Sequence, residues 1–202
     1  MSISHRMKVK YFVEEPKAID LSAFIPLFHG WIQEQPGDDL LIDVADYKHV
    51  PQGPGILLMG HEADYALDMS NDRPGLMYIR KRQGIATQQP ADLSARLQQM
   101  LRQVLEGCQS TESATHFETP IRFRTDEIEL TFPDRLNTPN QAEQYALLQS
   151  EIQPIIESIY GDTPIQIEQA NRDHRDDPRR ALTLRINASG APNISTLLER
   201  LP

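Results

Sequence analysis

Apolar and polar positions switch period several times along the chain, and each switch marks an element. Residues 8–14 alternate, with Val9, Tyr11 and Val13 on one side and Lys8, Lys10 and Phe12 on the other. Alternation of this kind predicts a half-buried strand, which Pro16 ends. Over 20–33 the spacing lengthens. Leu21, Phe24, Ile25, Phe28 and Ile32 recur at helical intervals, with Trp31 beside them and His29 flanking. Asp20 or Ser22 supplies an N-cap, and Pro26 inside the pattern predicts a kink or a late start.

Residues 40–82 hold short apolar runs divided by turn signals. Leu40, Ile42 and Val44 share one face of a strand, and Leu41, Asp43 and Ala45 the other. The nearly continuous run 56–61 predicts an inner strand covered on both faces. Gly60 within it signals a bulge or a close backbone approach. Tyr65, Leu67 and Met69 alternate with Ala66, Asp68 and Ser70, and 76–80 returns as a strand.

The clearest helix spans 90–108, where Leu93, Leu97, Met100, Leu101, Val104, Leu105 and Cys108 form a stripe. The polar run 109–115 is the candidate boundary between an N-terminal lobe, 1–108, and a C-terminal lobe, 109–202, within one compact domain. In the second half, 117–124 and 128–132 read as a hairpin turning at Thr125-Asp126-Glu127. Thr138, Pro139 and Gln141 predict a helix start for a face of Tyr145, Leu148, Ile152, Ile155, Ile156 and Ile159. Ile165 and Ile167 open a strand, the highly charged 172–180 forms a hairpin tip, and Leu182, Leu184 and Ile186 point inward from another. A short helix capped by Asn193 or Ser195 follows.

Adjacent hairpins are incompatible with a strict βαβ order. The expected class is α+β: a mainly antiparallel sheet with helices packed on one face. Strand, proline-bearing helix and hairpin follow one another in both halves, which leaves room for two structurally similar lobes.

Charge and composition narrow the partners. The net charge is −9 and the pI about 5.1. Such a field repels phosphate backbones and anionic lipid, so neither nucleic acid nor membrane is an expected partner. Arg80-Lys81-Arg82 is the densest basic group and reads as a solvated strand end. No segment has signal-peptide or membrane-span character. A single cysteine, Cys108, leaves no intramolecular disulfide. A cytoplasmic location fits these features.

Candidate chemistry concentrates where the apolar run 56–61 ends in His61, Glu62, Asp64 and Tyr65. A polar run at the end of a buried strand costs free energy unless its groups are paired or exposed. With Asp46 and His49 from the preceding turn, these residues form the candidate ligand-binding set. His49, His61 and Asp64 are donor types that suit zinc, manganese or iron, although the spacing matches no helical zinc motif. Asp43 and Asp46 could supply an acid–base pair. The leading expectation is a binding module for a small molecule or protein. The alternatives are a metal-assisted hydrolase using His49, His61, Glu62 and Asp64, and an accessory protein acting through an oligomer interface. Substrate, metal and cofactor are not specified by the sequence.

Overall fold

The computed structural model describes residues 6–36, 39–81, 92–170, 177 and 179–202. It contains an eight-stranded antiparallel sheet: β1 (Met7–Val13), β2 (Leu41–Tyr47), β3 (Gly55–Gly60), β4 (Ala63–Asp68), β5 (Gly75–Arg80), β6 (Phe123–Phe132), β7 (Ile165–Gln169) and β8 (Leu182–Ala188). Their spatial order is β2-β3-β4-β5-β1-β6-β8-β7. Four helices accompany it: α1 (Phe24–Glu34), α2 (Leu93–Ser113), α3 (Ala142–Tyr160) and α4 (Ile194–Arg200). The α+β antiparallel class expected from the sequence is present.

Cross-strand pairing explains why one face is apolar. Directly paired residues share a face. Leu58 pairs with Tyr65, Tyr65 with Tyr78, Tyr78 with Val9, Val9 with Leu130, and Leu130 with Leu184. The period of two in each strand therefore adds up to one continuous apolar surface, and its residues join the helices' buried side chains in a single core. α2 lies at the centre and contacts β5, β1, α3 and α4. Its Leu97, Met100, Leu101, Val104, Leu105 and Cys108 are all buried.

Several local expectations are revised. α1 begins late, at Phe24, after a 3₁₀ turn over Leu21–Ala23 whose first amide is capped by Asp20 (Ser22 N to Asp20 Oδ1, 2.8 Å). Pro26 thus falls in the first turn, where its missing N–H costs nothing. The buried face becomes Phe24, Leu27, Phe28 and Trp31, and His29 is exposed. α2 continues through the polar run to Ser113. α3 starts at Ala142, past the Thr138 start signal, because Thr138 and Asn140 are buried in the preceding loop. It runs through Pro154 and stops at Gly161 (φ +65°). The hairpin tip expected at 172–180 falls largely outside the described residues.

The hairpin expected at Thr125-Asp126-Glu127 is instead a bulge within the single strand β6. Between the pairs Tyr11–Ile128 and Val13–Phe123, β1 supplies Phe12 alone, while β6 supplies Arg124, Thr125, Asp126 and Glu127. A polar turn signal and a bulge use the same residues, because both interrupt pairing. A second irregularity lies in β2, where Leu41 faces Gly60 and Asp43 faces Met59, so Ile42 is the extra residue. It is 56% exposed on the edge strand.

The second face of the sheet is polar yet partly covered. Lys10 reaches across β5 above Gly75 and pairs with Asp68 at 2.6 Å. A Cβ at Gly75 would lie 2.9 Å from Lys10 Cε, so only glycine leaves this path open. Arg73 lies 3.9 Å above the Phe12 ring and 2.6 Å from Glu127, the carboxylate presented by the β6 bulge. Arg185 at 3.1 Å and Arg124 at 3.5 Å complete the charge pairing around Glu127.

Candidate functional site: a cleft beneath α2

A cleft lies on the helical side of the sheet and is built from three separate segments. One wall is a ridge of α2: Gln99 and Gln103 are four residues apart, Glu106 and Gly107 follow three and four residues after Gln103, and Ser110 comes three after Gly107, so all line one face. Opposite stand Tyr65 of β4 and Tyr78 and Arg80 of β5. Trp31 and Glu34 close one end from the last turn of α1. Two adjoining cavities, of about 230 Å³ and about 120 Å³, share Asp39, Tyr78 and Gln103.

Local sequence fixes each wall. Gln35 ends α1 in the left-handed region (φ +46°). Its side-chain amide donates to Ile32 O and Leu41 O, at 2.6 and 2.9 Å, and accepts from Leu41 N at 3.0 Å. The end of α1 is thereby fastened to β2. Asp39 accepts the backbone N–H groups of Glu62 and Ala63 at 2.8 and 2.9 Å. Gly60 admits that carboxylate, since a Cβ there would lie 2.6 Å from Asp39 Oδ2. Of the two expectations for Gly60, close approach is the one the structure shows. Gly107 does the same for the aromatic wall. A Cβ on it would come 3.3 Å from both Trp31 and Tyr65, and 2.9 Å from Leu76 Cδ2.

The rings form a connected row. Trp31 and Tyr65 meet edge to face at 5.3 Å, and Tyr65 and Tyr78 at 5.0 Å. The indole N–H of Trp31 donates to Ser110 Oγ, and the Tyr65 hydroxyl lies 3.2 Å from Gln103 Oε1. Burial pushes the phenols of Tyr65 and Tyr78 well above their ordinary range. The larger cavity is lined by Glu34, Asp39 and Glu106 and by no lysine or arginine among the described residues. Partial burial raises the Glu106 carboxyl, against the opposing pull of Arg102. The smaller cavity adds Glu62, Gln99 and Arg80.

Of the sequence-predicted residues, Tyr65 and Glu62 reach this cleft. Asp64 turns to the other face, where Lys81 pairs with it at 2.7 Å. His61 is exposed at the β3–β4 turn, with its backbone N–H donating to Leu40 O. Asp46, which pairs with Ile56 near the other end of the β2–β3 ladder, and His49, just beyond the closing Tyr47–Gly55 pair, are both exposed. Asp46 accepts from Lys48 N at 2.9 Å and is held below the usual carboxylate range by that bond. His49 stacks on Tyr47. Asp43 accepts the N–H of Val44. Among the described residues, no three His, Cys, Asp or Glu side chains gather as a metal ion would need.

Trp31, Asp39, Tyr78, Arg80, Gln103 and Glu106 were not singled out by the sequence pattern as site residues. One signal for them exists: Gly107 interrupts a strong helical stripe, and a glycine in a helix interior calls for a packing reason. Arg80, expected at a solvated strand end, is 5% exposed because its even position in β5 turns it under α2 with Tyr78; Arg82 lies outside the described residues. Cys108 is buried and its thiol pushed up by burial, as befits an inert core residue.

A second cavity, of about 150 Å³, lies on the other face beside Lys10, Arg73, Glu129 and Arg185. Its cations are already matched by Asp68, Glu127 and Glu129, which leaves no surplus charge for a ligand. No histidine or cysteine among the described residues lines any of these three cavities. Among the described helices, none is long and apolar enough to cross a membrane. No protein-family model, curated protein or solved structure matches the chain significantly.

Proposed function

We propose that the protein is a small-molecule binding module whose cleft beneath α2 takes an organic cation. The supporting observation is the lining of the larger cavity: Trp31, Tyr65 and Tyr78 beside Glu34, Asp39 and Glu106, with no cationic lining side chain among the described residues. Aromatic quadrupoles and carboxylates both favour positive charge, and a cavity of a few hundred Å³ suits a small ligand. The overall charge of −9 raises the local concentration of cations in the same direction.

Trp31 is the sole tryptophan, so its emission reports on the cleft alone. Hexyltrimethylammonium should change that emission saturably and bind roughly tenfold more tightly than an uncharged isostere of the same shape. Glu106→Gln should remove most of the difference. Equal binding of the charged and neutral probes, or no saturable response to either, overturns the reading.

A further inference from the structure

The smaller cavity has the opposite electrostatic character at one point. Arg80 is 5% exposed, donates from Nη1 to Gln99 Oε1 at 3.2 Å, and among the described residues has no hydrogen-bond partner for its buried Nε. It forms no ion pair with a carboxylate among the described residues. Two acids share the lining: Asp39, which accepts two backbone amides, and Glu62, and both act on the Arg80 charge across the cavity. Arg96, one turn earlier on α2, is also buried and senses the Arg80 charge. Asp39 and Glu62 favour the charged form of this guanidinium from the same cavity wall, but neither pairs with it directly, and a buried guanidinium held without a direct partner still carries a desolvation cost. Arginine presents a planar fork of donors suited to a carboxylate.

The two charge characters lie along one line. Gln99 marks the Arg80 end and Glu106 the acidic end of the same α2 ridge. At the helical rise they are separated by about 10 Å. Gln103, between them, borders both cavities, as do Tyr78 and Asp39.

We propose that the ligand is an elongated zwitterion, with its cationic head against Trp31, Glu34 and Glu106 and its carboxylate on Arg80. This rests on the cation reading of the larger cavity and adds the second charge and the length. No covalent step is involved. The ligand lies along α2, its carboxylate accepting from Arg80 and Gln99 and its alkyl chain passing over Tyr78.

The test compares ω-trimethylammonio-hexanoate with hexyltrimethylammonium by Trp31 fluorescence and calorimetry, on wild type and Arg80→Gln. The expected result is that the zwitterion binds wild type about tenfold more tightly, the ratio for one added charge-assisted hydrogen-bonding group. That advantage should vanish in Arg80→Gln, a variant that should still bind hexyltrimethylammonium at least as tightly as wild type does. Equal affinity of the two probes for wild type overturns the zwitterion and leaves the cation reading standing. Failure of both probes to bind overturns both. An advantage that persists in a folded Arg80→Gln protein overturns the assignment of the carboxylate to Arg80. Should that variant not fold, Gln99→Leu, on the exposed side of the same contact, must reduce the advantage severalfold, and an unchanged ratio there overturns the proposal.

Discussion

The indole Nε1–H of Trp31 donates to the hydroxyl of Ser110 across 3.0 Å, bridging α1 and α2 at the closed end of the cleft. Trp31 is 4% exposed while Ser110 is exposed, so water reaches the bond from the Ser110 side. Ser110→Ala should lower stability by about 0.5–1.5 kcal/mol, the net contribution of an ordinary intramolecular hydrogen bond. A urea midpoint that falls with unchanged slope, together with a shift in the tryptophan emission, would establish it.

Gly107→Ala sets two effects against each other. Alanine favours the helix by about 1 kcal/mol, but its methyl group meets Leu76, Trp31 and Tyr65. Overpacking of a tight core costs about 1–3 kcal/mol. We expect a net loss of about 1 kcal/mol and a larger fractional loss of cation binding, because the ring wall must shift. A variant as stable as wild type with unchanged probe affinity would show that Gly107 does not shape the cleft.

The Lys10–Asp68 pair is buried on the second face of the sheet, with side chains 2% and 11% exposed. Removing one partner strands the other. Lys10→Met should therefore destabilise by about 3–5 kcal/mol, and Lys10→Met combined with Asp68→Leu should recover much of that loss. Chemical denaturation of the two single variants and the double variant gives the coupling directly.

Tyr11, Tyr65, Tyr78 and Tyr160 all have phenols raised by burial. A raised folded-state value means that the unfolded chain loses its phenol protons first, near pH 10. Their contribution to stability is complete below that pH and is lost as the pH rises above it. Alkaline titration should show phenolate absorbance from these four appearing together with the loss of circular dichroism, in one cooperative step. Gradual ionisation with the fold intact would contradict their burial.

Legibility followed locality. The stripe of α2 and the alternation of β1 and β8 could be read because each depends only on neighbours in sequence. The β6 bulge could not, because Thr125, Asp126 and Glu127 carry the same polar signal whether the chain reverses or merely loops out of register. The Thr138 start signal failed for a related reason: burial of Thr138 and Asn140 placed the helix start four residues on. The cleft was half visible. Tyr65 and Glu62 stood out as polar interruptions of a buried run. Trp31 looked like an ordinary helix aromatic and Arg80 like a solvated strand end. Their convergence depends on how α2 docks across β5, which no spacing within either segment records.

α2 carries the roof of the cleft on one ridge and the middle of the core on another. Lifting it to admit a ligand would expose Leu97, Leu101 and Leu105, each costing about 1.5–3 kcal/mol. The amides of its central turns should accordingly exchange with solvent through global unfolding alone. A ligand then meets a cavity that already has its final shape. Association should then need no rearrangement of α2, and discrimination between ligands should be expressed in how slowly each one leaves.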